Sequence, residues 1–514
     1  MFKINKVILD SECAVKSVDF KGKDTYYRDD ICVSITDGGV DVCADKTPVS
    51  TVRIVFENNC FDEGLVLGDA FERAYGDLGW KSMNIENPMP WYFFADTESG
   101  FFGVGVKVQP NAFCTWYCDK EEIILELDIR NGSNPIVLNN RTLHACDIIT
   151  AKYASADLET MNGFCRLMSE YPRKTERPIF GGNDWYCNYG NNSRGKILDM
   201  TAKIVECSPK DSPYKPYMVI DDGWEVCHCA KSDGCPEYNG GPWRVSNRFF
   251  GDMQSLAEEI EKLGAIPGIW IRPLLTTEKV HDECVLRKKA YQTTLDPSSE
   301  LVLDMVREDM QRLRAWGYKL IKHDFSTFDI FGKWGFEMSK ETAYDIQFHD
   351  KTKTTAEIIK ALYRTIREGA GEDTLIMGCN TVSHLSAGVF DIQRTGDDTS
   401  GIDWERTKKY GLNTLAFRME QHKAFYLADA DCVGITKNIP WKTNRQWLDV
   451  LAKSGTPLFV SVAEDAYTED VKQDITKAFE TAVKASNTSC PLDWKTTLTP
   501  TKWKSDFGTD CYTW

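Results

Sequence analysis

ELVLDMVREDMQRLRAWGYKLIKHDFST occupies residues 300–327. Up to Gly317 its apolar side chains recur three and four apart and stop at a glycine, the pattern of an amphipathic helix and its end. Leu320 and Ile321 then open a short apolar run that closes on Lys322, His323 and Asp324. A strand that has reached the surface ends on solvated charges. A strand that ends inside a cleft holds them for chemistry. The neighbouring sequence separates the two readings.

From about residue 173 the same texture recurs. PIFGGNDWY, YMVIDDGW, AIPGIWIRPL, LIMGCNTV, FDIQRTGDD, FYLADADCVGI and TPLFVSVAED join KLIKHDFST to make eight apolar runs. Helix-like pieces such as MQSLAEEIEKLG and TTAEIIKALYRTIREGAG lie between most of them. Eight strand-then-helix units in series predict an α/β fold, a (β/α)8 TIM barrel with its active site at the C-terminal ends of the strands. The step from the fifth run to the sixth leaves room for no more than a turn of helix. Lys322 and Asp324 then sit two apart at the end of the fourth strand and point to one side, which favours the cleft.

Before residue 173 the chain alternates short apolar and polar stretches, among them STVRIVFE, GFFGVGVKV and EIILELDI, with turn signals DGG and NGSN. That pattern predicts an antiparallel β-sandwich. Residues 67–94 are too aromatic and too punctuated for a plain strand. The expected organisation is an N-terminal β-sandwich over 1–172, a catalytic barrel over 173–462 and a small C-terminal helix/β segment over 463–514.

A net charge of −16 without charged blocks speaks against nucleic acid or an anionic membrane as partner. No run is long and apolar enough to span a bilayer, and the N-terminus shows no signal-peptide core. With 18 scattered cysteines, the expectation is a cytoplasmic protein with reduced thiols. The 15 Trp and 20 Tyr hint at sugar stacking, although core packing explains such a number as well.

The ends of the eight runs carry Trp185; Asp221, Asp222 and Trp224; Trp270 and Arg272; Lys322 and Asp324; Cys379 and Asn380; Arg394, Asp397 and Asp398; Asp429 and Asp431. No histidine-rich metal set, phosphate loop or G-x-S-x-G elbow accompanies them. Carboxylates without such partners point to glycoside hydrolysis, in which two of them flank the scissile bond. Neither metal nor cofactor is expected. Cys227, His228, Cys229 and Cys235 cluster in CHCAKSDGC, but the spacing is not that of a structural zinc site.

Together, VIDDGW, GPWRVSNRFFGDMQSLAEEIEKLGAIPGIW, KLIKHDF and RTGDDT resemble the α-galactosidases of glycoside hydrolase clan D, families 27 and 36. DAFERAYGDLGW followed by MPWYFF is similar to the sandwich domain of family 36. The resemblance implies a retaining double displacement on a terminal α-linked galactose, with Asp324 as nucleophile and Lys322 as its cationic neighbour. It also implies Asp398 as general acid/base, four positions after Arg394, ahead of Asp397 in the doublet. As the acid, Asp398 is expected to have a raised pKa, with the two carboxyls about 5–5.5 Å apart. Asp221 and Asp222 would grip the 4- and 6-hydroxyls, although DDG is also ordinary turn chemistry. Trp185 and Trp270 would wall the sugar.

Two positions depart from the family pattern. Asn380 stands where a glutamate is usual, so it would serve a 2-hydroxyl or leave room for a 2-acetamido group. Arg272 replaces an acid after the third strand and would meet an anionic group, a neighbouring sugar or a local carboxylate. An α-galactoside is the expected partner, and a homo-oligomer stays open. The rivals are an α-N-acetylgalactosaminidase, an α-galactosyl transferase and a non-catalytic sugar-binding protein.

Overall fold

The computed structural model of the chain describes residues 3–10, 16–18, 25–58, 63–173, 175, 177–228, 239–289, 292–338, 346–486 and 488–514. The N-terminal region folds into two antiparallel sheets of six and eight strands. Alternation decides which face is buried. In Glu122–Asp128 every second residue is buried, so Ile123, Leu125 and Leu127 face the core with no exposed surface. Truncating one of them to alanine would cost about 2–5 kcal/mol through lost burial and the cavity left behind.

Residues 69–80 leave this regularity. They follow the strand Gly64–Gly68 and lie against the next part of the chain. Fully buried Arg418 holds Asp69 Oδ1 at 2.7 Å and also donates to Thr395 O and Ala70 O. Ala74 N donates to Thr395 O at 2.9 Å, and Asp397 N donates to Ala74 O at 3.1 Å. Gly396 sits inside this stitch because a Cβ there would lie 2.0 Å from Tyr410 O.

The second half contains a nine-stranded sheet in which every neighbouring pair is parallel. Its two outer strands, Leu427–Asp429 and Cys432–Ile435, are consecutive along the chain and separated only by Ala430 and Asp431. Asp431 adopts a φ of 73° there. The central strands, such as Tyr217–Ile220 and Leu320–His323, are buried at every position, as parallel strands covered on both faces are.

Helices separate the strands, and their ends are written in the sequence. Asp252 caps Met253–Leu263 by accepting from Ser255 N, and Gly264 closes it at φ 107°. Thr354 and Glu357 form a capping box on Thr355–Ala370. Between the fifth strand, Leu375–Gly378, and the sixth, Ile392–Arg394, there is only the short helix Ser383–Ser386. After the strand Leu458–Val462 come the helix Glu469–Lys484 and a three-stranded antiparallel sheet, Cys490–Pro491, Lys502–Ser505 and Gly508–Cys511. Among the described residues no helix is long and apolar enough to cross a membrane.

Candidate active site

The three ionisable side chains that end Leu320–His323 separate by face. His323 points to the helix layer, where its ring meets Tyr363 and Phe390 at centroid distances of 5.9 and 5.5 Å. Burial holds its pKa down at about 3, so it is a neutral core residue. Asp324 follows the strand and is half-buried. Its Oδ2 accepts Trp270 Nε1 at 3.1 Å and its Oδ1 accepts Phe325 N at 2.7 Å. Phe325 adopts φ 62°, a left-handed conformation that costs a bulky side chain energy and clusters at functional sites. Two fixed donors hold one carboxylate in place.

Lys322 is buried, and its Nζ donates to Asp221 Oδ2 at 2.6 Å. Burial alone would lower the ammonium pKa, but the charge of Asp221, helped by Cys379 and Asp324, holds it well above its ordinary value. Asn183 Nδ2 reaches the same oxygen of Asp221 at 2.7 Å, and Asp222 N donates to the other at 2.8 Å. Asp222 in turn accepts Asn239 Nδ2 at 3.0 Å.

The Arg394 guanidinium is 1% exposed and serves three partners. It lies 3.1 Å from Asp398 Oδ1, 2.8 Å from Asp431 Oδ2 and 3.2 Å from Cys379 Sγ. Asp431 is itself pinned by Thr399 N and Oγ1 at 2.8 and 2.9 Å and by Tyr186, so Arg394 is held from behind. Burial pushes the Asp429 carboxyl up to about 6.

A second arginine comes from the N-terminal region. Arg73 places Nη1 3.5 Å from Asp398 Oδ1, Nη2 3.1 Å from Asp397 Oδ1 and Nε 3.0 Å from Glu72 Oε1. This corrects the expectation for Asp398. Loss of solvent in the cavity would raise its pKa, but Arg394, Arg73 and Lys322 outweigh that and hold the carboxyl below its ordinary value. In the resting site Asp398 is a carboxylate.

Asp324, Asp397 and Asp398 line one cavity of about 740 Å³. Arg73 and Arg406 supply its cationic wall, and Tyr75, Trp334, Phe336 and Tyr410 its aromatic rim. Tyr410 lies in a π-helical turn, Thr407–Leu412, a distortion often found at functional sites. Sequence reasoning did not single out Arg73, Tyr75, Trp334 or Tyr410. The irregular aromatic stretch at 67–94 was the signal for the first two.

The remaining residues named from sequence fall into different places. Arg272 is clamped by Asp329, Nε to Oδ2 at 2.9 Å and Nη2 to Oδ1 at 2.6 Å, and lies 4.1 Å from the Phe325 ring centroid. Of the three partners open to it, it has taken the local carboxylate. Asn380 is fully buried; its Nδ2 donates to Glu72 Oε1 at 2.8 Å and its Oδ1 accepts Phe328 N at 2.9 Å. Both ends of its amide are used by the protein itself. Trp270 is 1% exposed and acts on Asp324 through its N–H, while Trp185 packs edge-on to Tyr189 at 5.6 Å. Trp224, buried, donates to Trp270 O at 2.8 Å and so backs that tryptophan. Cys229 and Cys235 lie outside the described residues, as do the side chains of Cys227 and His228. Among the described residues no group of three or more His, Cys, Asp or Glu could hold a metal ion.

The sequence matches no protein-family model. The fold is similar to several solved structures. TtGalA, an α-galactosidase from Thermus thermophilus solved with p-nitrophenyl α-D-galactopyranoside, matches over 99% of this chain and 99% of its own, with 16% identity and a TM-score of 0.60. A variant of the family 36 α-galactosidase AgaA from Geobacillus stearothermophilus, solved with 1-deoxygalactonojirimycin, matches over 97% of this chain and 78% of its own, with 13% identity and a TM-score of 0.61. The galactosidase domain of the α-galactosidase–sucrose kinase AgaSK gives 15% identity, 97% and 77% coverage and a TM-score of 0.60. At these identities the likeness is one of fold.

Proposed function

We propose that the protein is a retaining glycoside hydrolase that releases terminal α-linked galactose. The observation that carries this reading is the placement of Asp324 and Asp398 on one cavity, each carboxylate held by its own donors, at the C-terminal ends of parallel strands. The fold similarity to α-galactosidases supports the choice of sugar. In the same reading, Leu427–Asp429 and Cys432–Ile435 are one seventh strand broken at Asp431, so that the parallel sheet closes as a (β/α)8 barrel behind an N-terminal sandwich.

Asp324 attacks the anomeric carbon as the glycosidic bond to the leaving oxygen breaks, and Asp398 gives its proton to that oxygen. In the second step Asp398 takes a proton from water, and the water oxygen displaces Asp324. Trp270 Nε1 and Phe325 N keep the Asp324 oxygens oriented for attack. The two arginines make Asp398 a ready base for the second step. They also make its protonated form scarce at neutral pH, so turnover of galactosides with poor leaving groups rises toward acid pH. Lys322 fixes Asp221, whose carboxylate, with that of Asp222, is the hydroxyl-binding pair of this reading.

The test is hydrolysis of p-nitrophenyl α-galactoside and of its 2-acetamido-2-deoxy analogue by wild type and Asp324→Ala. Turnover of the first, reduced at least about a thousandfold in the variant, is the expected result. Preference for the acetamido sugar would replace the substrate. Activity that survives the substitution would remove Asp324 as nucleophile, and binding without turnover would make the protein a lectin-like receptor.

A further inference from the structure

Asp398 faces an unusual set of charges. Arg394 reaches it from its own strand end, Lys322 from the fourth strand and Arg73 from the N-terminal β region. Asp397 is its chain neighbour, Arg406 donates to its backbone carbonyl at 3.1 Å, the Tyr186 phenol lies within electrostatic reach and Asp324 shares its cavity. Of the three cations, Arg394 is shared with Asp431 and Cys379, and Lys322 is bonded to Asp221. Arg73 is the one whose two terminal nitrogens both address the Asp397–Asp398 doublet.

The placement of Arg73 is built in layers. Its backbone neighbour Ala74 is stitched to Thr395 and Asp397 by two hydrogen bonds. Its Nε is held by Glu72 Oε1, which also accepts Tyr75 OH at 2.9 Å and Asn380 Nδ2 at 2.8 Å. Glu72 has no exposed surface and Arg73 is 3% exposed. A carboxylate at position 380 would face Glu72 across this contact. An amide instead supplies the donor that a buried carboxylate needs, which gives Asn380 a physical reason unrelated to the sugar.

We propose that Arg73 is a positioning residue of the reaction: anchored by Glu72 and Asn380, its guanidinium spans Asp397 and Asp398 and sets where Asp398 stands and how readily it is protonated. The proposal rests on the hydrolase reading above. A planar fork meeting three carboxylates at once is a task that lysine, a single point charge, does not perform. The N-terminal region is therefore part of the reaction centre and not only a support for it.

The test compares wild type, Arg73→Gln, Arg73→Lys and Glu72→Gln. It follows kcat and kcat/KM against pH on a p-nitrophenyl α-galactoside and on an α-galactoside with an alkyl leaving group. In Arg73→Gln the alkaline limb of kcat/KM should move up by about one pH unit, a tenfold change in the protonation ratio, while the acid limb stays. On the acid side of both limbs, where Asp398 is protonated in either protein, misplacing the acid should cost kcat at least about tenfold more on the alkyl leaving group, which needs the proton, than on nitrophenolate. Arg73→Lys, which keeps the charge and loses the fork, should return the limb toward wild type without restoring wild-type kcat on the alkyl galactoside. Glu72→Gln, which leaves the cavity wall intact, should move the limb in the same direction by less.

Carboxyl 13C NMR, with the Asp398 signal assigned through Asp398→Asn, reads the same midpoint without turnover. It should rise in Arg73→Gln. An unmoved Asp398 midpoint in folded Arg73→Gln, or in folded Glu72→Gln where the first variant does not fold, overturns the proposal. So does an equal kcat loss on both leaving groups. Silence of wild type on both galactosides, with the NMR midpoint still moving, would overturn the hydrolase reading while leaving the hold of Arg73 on Asp398 standing.

Discussion

Glu420→Gln should stabilise the protein at neutral and alkaline pH. Glu420 is 2% exposed and lies in the short turn Met419–Gln421, which Tyr92 of the N-terminal sheet reaches. Tyr92 OH donates to Oε1 at 2.8 Å, and Gln421 Nε2 donates to the same hydroxyl at 2.7 Å. Oε2 has no hydrogen-bond partner among the described residues. Burial raises the carboxyl pKa from 4.5 to about 8, more than Tyr92 and Arg418 lower it. Between those two pH values the folded chain keeps a proton that the unfolded chain has released. Stability is therefore full below pH 4.5, falls across that window and is flat above about 8. At about 1.4 kcal/mol for each pH unit, the loss is about 3.5 kcal/mol at pH 7. Glutamine keeps an acceptor for Tyr92 and cannot ionise. Thermal unfolding at pH 5 and pH 8.5 should show nearly equal melting temperatures at the first and a gain of roughly 4 °C for the variant at the second. A gap of the same size at both pH values, or a lower melting temperature for Glu420→Gln at pH 8.5, would refute the reasoning.

Lys322→Met should cost about 3–5 kcal/mol, because Asp221 would stay buried without its partner. Adding Asp221→Asn should recover most of that in denaturant unfolding while turnover stays lost. His323→Leu should protect against acid: a buried histidine held at about 3 contributes stability that is present above 6.5 and lost as pH falls toward 3. The urea midpoint of the variant should exceed that of wild type at pH 4.5. Gly396→Ala places a methyl 2.0 Å from Tyr410 O and 2.5 Å from Thr414 Oγ1. It should cost at least about 2 kcal/mol and loosen the 69–80 docking, measured as a lower melting temperature and reduced kcat.

Much of the architecture was legible because it rests on periodicity. Alternation gave the antiparallel N-terminal strands, and the eight apolar runs gave the parallel ones, including the short step that became Ser383–Ser386. The break at Asp431 was not legible, since FYLADADCVGI reads as one uninterrupted run and only the backbone turns left-handed there. Among the site residues, strand-end position brought out Asp324, Asp398, Lys322 and Arg394. Asn380 and Arg272 kept open readings because their partners, Glu72 and Asp329, are far from them in the chain. No local pattern announces such a pairing. Arg73 was invisible for the same reason: two of its three carboxylates, Asp397 and Asp398, lie more than three hundred residues away.

Asp398 and Glu420 show why carboxyls could be located from sequence while their protonation could not. Both lose solvent on folding, and that loss alone raises both pKa values. Glu420 has a phenol as its direct partner and keeps Arg418 engaged elsewhere, with Asp69, so desolvation wins and the group is neutral at rest. Asp398 has two guanidiniums within 3.5 Å, so charge wins and the group is ionised. One of those guanidiniums is four residues away and readable from the sequence. The other arrives from the irregular stretch 69–80 and adds to the lowering by Arg394. In the hydrolase reading proposed above, the pH dependence of turnover would thus report on the packing of the N-terminal region against the strand ends as well as on Asp398.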